Sequence, residues 1–299
     1  MRRLAAALVL LALPPLFAAY KAAAFHVHNR NNGSIVSSGE RREFLVYVPR
    51  GYDARKPVPL VISLHGAGGW PVQQRELSEW DRVADRHGFV VVYPSGADTP
   101  RIWHVEPTER LPRDVRFLSD LIDEMEADYH IDRDRIYVNG FSNGGGMSFA
   151  ASCAMGDRVA AVGMVGAAQT LDWNWCGDRR PIPAIFFHGT GDTAAPYNGG
   201  PSWVSKRPFP SVAGWADKWR KRNRCGDAAD SRVARDVVRR EYSRCAEDVV
   251  LYTIEGGGHT WPGGGEMPEW FVGRTTRSID ASETMWQFFR EHPLRRPRS

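Results

Sequence analysis

Apolar residues in this chain fall into short continuous runs, separated by longer stretches in which they return every third or fourth position. Leu60-Val-Ile-Ser-Leu64, Phe89-Val-Val-Val-Tyr93, Ile136-Tyr-Val138, Ala160-Ala-Val-Gly-Met-Val165, Pro183-Ala-Ile-Phe-Phe187 and Val249 to Ile254 are β-branched and aromatic runs of the kind a strand buried on both faces requires. Residues 42–48 alternate as a strand with one polar face does. Between the runs, Leu77, Trp80, Val83 and Ala84 predict one helix over 73–87, stopped by Gly88. Val115, Leu118, Leu121, Ile122 and Met125 predict a second helix, and Val212, Trp215, Ala216 and Trp219 a third. A further helix is expected from just after Ser142 to about Cys153. Asp280 and Glu283 form a capping box for a closing helix whose apolar face is Met285, Phe288 and Phe289. Strands alternating with helices over the whole length predict one α/β domain, a mostly parallel central sheet with helices on both faces. Residues 97–112 have no period and read as a loop. No linker, repeat or second domain is expected.

The N-terminus departs from this pattern. Met1-Arg-Arg precedes an apolar run from Leu4 to Ala19 that is short and proline-interrupted for a membrane span, so residues 1–24 are expected to be a signal peptide and not a stable membrane anchor. Ala22 and Ala24 fit the small-x-small rule for cleavage after Ala24, leaving a domain over 25–299 in a secreted, extracellular or periplasmic protein. Losing Arg2, Arg3 and Lys21, with no acid, takes the formal charge from +4 to +1. A nearly neutral chain is a poor nucleic-acid binder, and none is expected as a partner. The four cysteines, Cys153, Cys176, Cys225 and Cys245, lack metal-ligand spacing, so no metal is expected. In an exported chain they are expected as disulfides. Three pairings are possible, and the sequence-nearest, Cys153 with Cys176 and Cys225 with Cys245, is favoured.

Candidate chemistry lies at the ends of the predicted strands. Gly140-Phe-Ser-Asn-Gly144 follows the Ile136–Val138 run and precedes a helix, the setting of a nucleophile elbow that projects the Ser142 hydroxyl from a strained turn. Two later strands end in Gly-Asp192 and Gly-His259. Side chains beyond the carboxyl ends of parallel strands converge, and the chain order Ser142, Asp192, His259 is that of the α/β-hydrolase fold. His259 would accept the Ser142 proton and Asp192 would orient it, with Glu255 as the alternative acid. Backbone N–H groups of Ala67, in the glycine-rich loop after Leu64, and of Asn143 would form an oxyanion hole. Trp261, Trp70 and Trp103 are candidate substrate-binding residues. His65 and His188 are expected to brace loops. This chemistry needs no cofactor.

The motifs Leu64-His-Gly66, Tyr93-Pro-Ser-Gly96, Gly140-Phe-Ser-Asn-Gly-Gly145, His188-Gly-Thr-Gly-Asp192, Pro196-Tyr-Asn-Gly-Gly200 and Gly257-Gly-His-Thr-Trp-Pro-Gly263 together resemble the secreted polyhydroxybutyrate depolymerase family, which includes LpqC-like and bacterial feruloyl esterases. The resemblance spans nearly all of residues 42–290. It implies Ser142 as nucleophile, Asp192 as acid and His259 as base. It also supports the local cysteine pairing. One departure is Ala67, where many relatives carry a cysteine, which implies that a disulfide tying down that loop is missing.

The expected function is a secreted serine carboxylic-ester hydrolase working through an acyl-enzyme on a small or oligomeric ester. Its substrates would be like those of polyhydroxybutyrate depolymerases, with feruloyl or acetyl-xylan esters as the alternative. A serine peptidase of this fold usually carries a cap domain, for which the chain shows no segment. A catalytically inactive binding protein would be expected to have lost a triad member.

Overall fold

The computed structural model describes residues 27–28, 30–167, 171–176 and 180–295, with the backbone alone at 206–207. The expected leader, 1–24, lies outside the described residues. The buried runs become strands at or near their expected positions. Strand β1 (Gly33–Ser37) is followed by β2 (Glu40–Tyr47), β3 (Val58–Leu64), β4 (Val90–Pro94), β5 (Ile131–Phe141), β6 (Ala161–Val165) and β7 (Ala184–Gly189). Then come β8 (Gly200–Ser202), β9 (Ser205–Phe209), β10 (Ala228–Ala234), β11 (Val237–Tyr242) and β12 (Val249–Ile254). Ten strands form one sheet in the order β1-β2-β4-β3-β5-β6-β7-β12-β11-β10, and β8 pairs with β9 apart from it. The six central strands, β4 to β12 in that order, are all parallel, and the outer pairs on each side are antiparallel.

The alternation of side chains across this sheet divides the core in two. Leu60, Ile62 and Leu64 of β3 pack on one face with Val90 and Val92 of β4, and Val61, Val91 and Tyr93 pack on the other. The first face is covered by helices α3 (Arg110–Asp128), α4 (Asn143–Ala154) and α5 (Val212–Arg222), and the second by α1 (Pro71–Ser78), α2 (Trp80–His87) and α7 (Ala281–Glu291). A short helix, α6 (Glu269–Val272), precedes α7. The chain leaves β3 for β4 over the second face and returns from β4 to β5 over the first. The sheet therefore reverses its winding between β3 and β5, which opens a crevice beyond their carboxyl ends.

Two sequence expectations change here. The single helix over 73–87 is two helices, because Glu79 takes a left-handed conformation (φ 52°) that ends α1 and starts α2. Leu77, Trp80, Val83 and Ala84 still reach the same core, so apolar spacing gives no sign of the break. The β10–β11 hairpin was also not expected. Nearly every residue of β10 is exposed, and an edge strand without a buried face has no alternation to read. The cysteines pair locally, Cys153 with Cys176 and Cys225 with Cys245, across separations of 23 and 20 residues. In the loop-entropy picture, each contributes on the order of 3 kcal/mol.

Candidate active site

Ser142 sits at the turn from β5 into α4 with φ 52° and ψ −118°, a conformation that costs a non-glycine residue on the order of 1–3 kcal/mol. Its surroundings hold it there. Ser142 N–H donates to the Val165 carbonyl at 2.8 Å, and the chain on either side approaches other backbone too closely for a side chain. A Cβ on Gly140 would lie 2.3 Å from the Gly144 carbonyl carbon, and one on Gly144 would lie 2.4 Å from the Leu64 carbonyl oxygen. The glycines of the motif thus pack the elbow against the end of β3, and the hydroxyl is left facing the crevice.

Asp192 follows β7, and His259 follows β12, the neighbouring strand. The Asp192 side chain is buried; Oδ1 accepts the N–H groups of Ala194 and Ala195 at 2.9 and 2.7 Å, and Oδ2 accepts Nδ1–H of His259 at 2.7 Å. A carboxylate can only accept, so His259 carries its proton on Nδ1 and presents the lone pair of Nε2. Burial pushes the Asp192 carboxyl up, but hydrogen bonds from His188 and His259 outweigh it and hold the group well below the usual carboxylate range. The charged form of Asp192 is therefore the favoured one. Glu255 is exposed and engaged by Arg232 through two 2.8 Å bonds, so it is not placed as the acid. The Phe141 ring packs 4.7 Å from the His259 ring, and Ser142 and His259 face one cavity of about 760 Å³.

The loop after β3 carries Ala67 into the same cavity beside Asn143, and neither backbone N–H has an acceptor among the described residues. Hydrogen bonds tie this loop down. Gly68 N–H donates to the Arg101 carbonyl at 2.7 Å, and the Trp103 indole donates to the His65 carbonyl at 3.0 Å. The side chain of Asn143 grips the backbone of Trp103 from both sides, accepting its N–H at 2.7 Å and donating to its carbonyl at 2.9 Å. His65 joins two loops by donating Nδ1–H to the Gly66 carbonyl and accepting Gly96 N–H at Nε2, at 2.7 and 2.8 Å.

Burial lowers the His65 imidazole to about 4. A histidine depressed below its unfolded value near 6.5 stabilises the fold fully above that pH and loses the contribution as pH falls toward 4. Unfolding free energy should therefore drop by on the order of 3 kcal/mol across that window. Denaturant titrations at pH 6.5 and 4.5 on the protein and on His65→Gln check this: the variant should be less stable at pH 6.5, with a smaller fall between the two pH values.

The three candidate tryptophans separate. Trp103 forms the cavity wall, tilted against the His65 ring at 5.3 Å. Trp261 does not reach the cavity, despite lying two residues from His259. The turn closed by Gly264 N–H on the Trp261 carbonyl directs its ring into the second core, fully buried, with its N–H on Ser282 Oγ at 3.1 Å. Trp70 precedes α1, packs against that same core and does not line the cavity. Proximity in sequence to His259 did not predict side-chain direction. The residues that do form the mouth, Trp203 of the β8–β9 turn, Phe271 of α6 and Met267, lie in glycine- and proline-rich segments. The Trp203 and Phe271 rings lie 5.3 Å apart, and both are more than half or about half exposed. Aromatic residues without periodic partners in such segments were the available signal.

A mostly parallel sheet with a serine elbow after β5, an acid after β7 and a histidine after β12 defines an α/β-hydrolase. Residues 42–170 match the sequence model of the family described as Esterase PHB depolymerase. Feruloyl esterase B of Piromyces equi is 33% identical over 240 residues, covering 77% of this chain and 45% of that protein, so the chain spans less than half of its length. Probable feruloyl esterase C of Aspergillus terreus is 27% identical, with 83% of each chain covered. Among solved structures, an acetyl xylan esterase from Aspergillus awamori shares the fold at a TM-score of 0.61 and 13% identity, covering 86% of this chain and 98% of that one.

Proposed function

We propose that this protein is a serine esterase that cleaves carboxylic esters through an acyl-enzyme on Ser142, with residues 25–299 acting as one catalytic domain. The observation that carries this reading is the 2.7 Å bond from His259 Nδ1–H to Asp192, behind a serine on a strained elbow facing the same cavity. His259 Nε2 takes the Ser142 proton as Oγ attacks the ester carbonyl, and the N–H groups of Ala67 and Asn143 hold the oxyanion. The imidazolium, stabilised by Asp192, returns the proton to the departing alcohol. Water then repeats the sequence to release the acid and free Ser142. Two disulfides suit an oxidising compartment, in keeping with export, and among the described residues no helix is long and apolar enough to cross a membrane.

Ile102, Trp103, Val105, Phe141 and Phe271 give the cavity apolar walls, which suit an apolar or flat acyl group. Oligomers of hydroxyalkanoates fit that description and so do hydroxycinnamoyl esters, and relatives named feruloyl esterases favour including the second. The test is a panel of soluble esters. Methyl ferulate and 3-hydroxybutyrate oligomers should be turned over with kcat/KM at least about tenfold above that for a long-chain palmitoyl ester or a crystalline polyester film. Phe271→Ala should raise KM for the larger esters severalfold and leave the acetyl ester nearly unchanged. Comparable rates on all of these, or equal losses on acetyl and large esters, would refute the substrate assignment.

A further inference from the structure

The Asp192 carboxylate carries a second imidazole that the steps above do not use. His188, near the end of β7 and 7% exposed, places Nε2 2.8 Å from the Ala195 carbonyl oxygen and 3.3 Å from Asp192 Oδ2. A carbonyl only accepts, so Nε2 bears a hydrogen that bonds the Ala195 oxygen, and Asp192 Oδ2 is the second oxygen within its reach. Oδ2 is also the atom that accepts Nδ1–H of His259, while Oδ1 is taken by the Ala194 and Ala195 N–H groups. Four donors thus surround one buried carboxylate, two backbone groups on one oxygen and two imidazoles on the other.

We propose that His188 is a positioning residue of the hydrolytic site: by sharing Asp192 Oδ2 with His259, it fixes the direction of that oxygen and limits how strongly the carboxylate favours the protonated base. The inference rests on the esterase reading. A hydrogen bond to an anion draws charge toward the donor, so less of it acts on the neighbouring imidazole. Removing the donor leaves a stronger negative charge beside His259 and a carboxylate freer to rotate.

The surroundings of His188 leave few competing influences. Among the described residues, the titratable groups facing it are Asp192, bonded in turn to His259, and Tyr197, whose ring packs at 6.0 Å and whose hydroxyl is engaged with Thr253 Oγ1 on β12. Met164 of β6, Phe209 of β9, and Val212 and Trp215 of α5 line a small void beside it and are apolar. His188 does not line the substrate cavity, so its loss should not act through substrate contact.

The experiment compares pH profiles of kcat/KM on a soluble aryl ester for the protein, His188→Leu and His188→Gln, with thermal melts to verify folding. In His188→Leu the acid limb should move up by about 0.5–1 pH unit, the equivalent of one lost hydrogen bond. Its kcat should fall roughly tenfold or more, with KM little changed. Glutamine, whose amide N–H can replace the donor, should restore the limb and most of the rate. A folded leucine variant with an unmoved limb, or a glutamine variant shifted as far as leucine, overturns the proposal. Should neither variant fold, ¹⁵N-histidine NMR of the unmodified protein decides: His188 should hold a hydrogen on Nε2, and an Nδ1–H tautomer overturns the assignment. Absence of ester hydrolysis by the unmodified protein would instead refute the esterase reading, and the NMR result would still settle whether His188 is the donor.

Discussion

Ser142→Ala should lower kcat for ester hydrolysis by about a million-fold, the loss seen when one member of a hydrolytic triad is removed and the others can no longer act. The fold should survive it. Alanine removes one oxygen that faces a cavity, while the Ser142 backbone bond to Val165 and the glycine contacts at 140 and 144 are untouched. The check is single-turnover kinetics beside a thermal melt: activity gone, melting temperature within a few degrees. Labelling by an organophosphonate should be lost in the same variant. Retained hydrolysis by folded Ser142→Ala would place the nucleophile elsewhere.

The next largest effect is expected at Asp192. Asp192→Asn should reduce kcat by roughly ten-thousand-fold, because an amide at this position favours the wrong tautomer of the base. The surroundings dictate which way the amide turns. Two backbone N–H groups occupy Oδ1, so the amide oxygen must take that place and the NH₂ must face His259 Nδ1 and His188 Nε2. A donor opposite His259 forces its hydrogen onto Nε2, where a base needs its lone pair. Since the native carboxyl is held well below its usual range, the activity lost on acidification should track the histidine and not Asp192. Glu255→Gln serves as the control, since Glu255 is tied to Arg232 at the surface. Near-normal activity in Asp192→Asn with loss in Glu255→Gln would reverse the assignment of the acid.

How far the sequence reached depended on which physical constraint each feature obeys. Strands β3, β4, β6, β7 and β12 are buried on both faces, and a strand with no solvent-exposed face is apolar along most of its length, so these could be read as runs. The elbow was legible for a related reason. Gly140 and Gly144 touch backbone where a Cβ has no room, and such close approach leaves a mark in the residue type itself. Edge strand β10 and the short α6 are under neither constraint. Most of their residues face solvent, and exposed positions accept almost any side chain.

By itself the sequence determined the class of the domain, the strand-end positions of Ser142, Asp192 and His259, and the glycines that shape the turn. Each of these follows from local sterics or from burial, which act on one segment at a time. The tertiary structure decided which side chains face one another. It put Trp261 into the core and Trp203 and Phe271 at the mouth, chose Asp192 over Glu255 as the partner of His259, and set His188 against the same carboxylate. Those outcomes depend on the relative rotation and register of strands far apart in the chain. The pairing of Thr253 with His188 across β7 and β12 is one such register, and a shift of one residue there would turn His188 to the other face of the sheet.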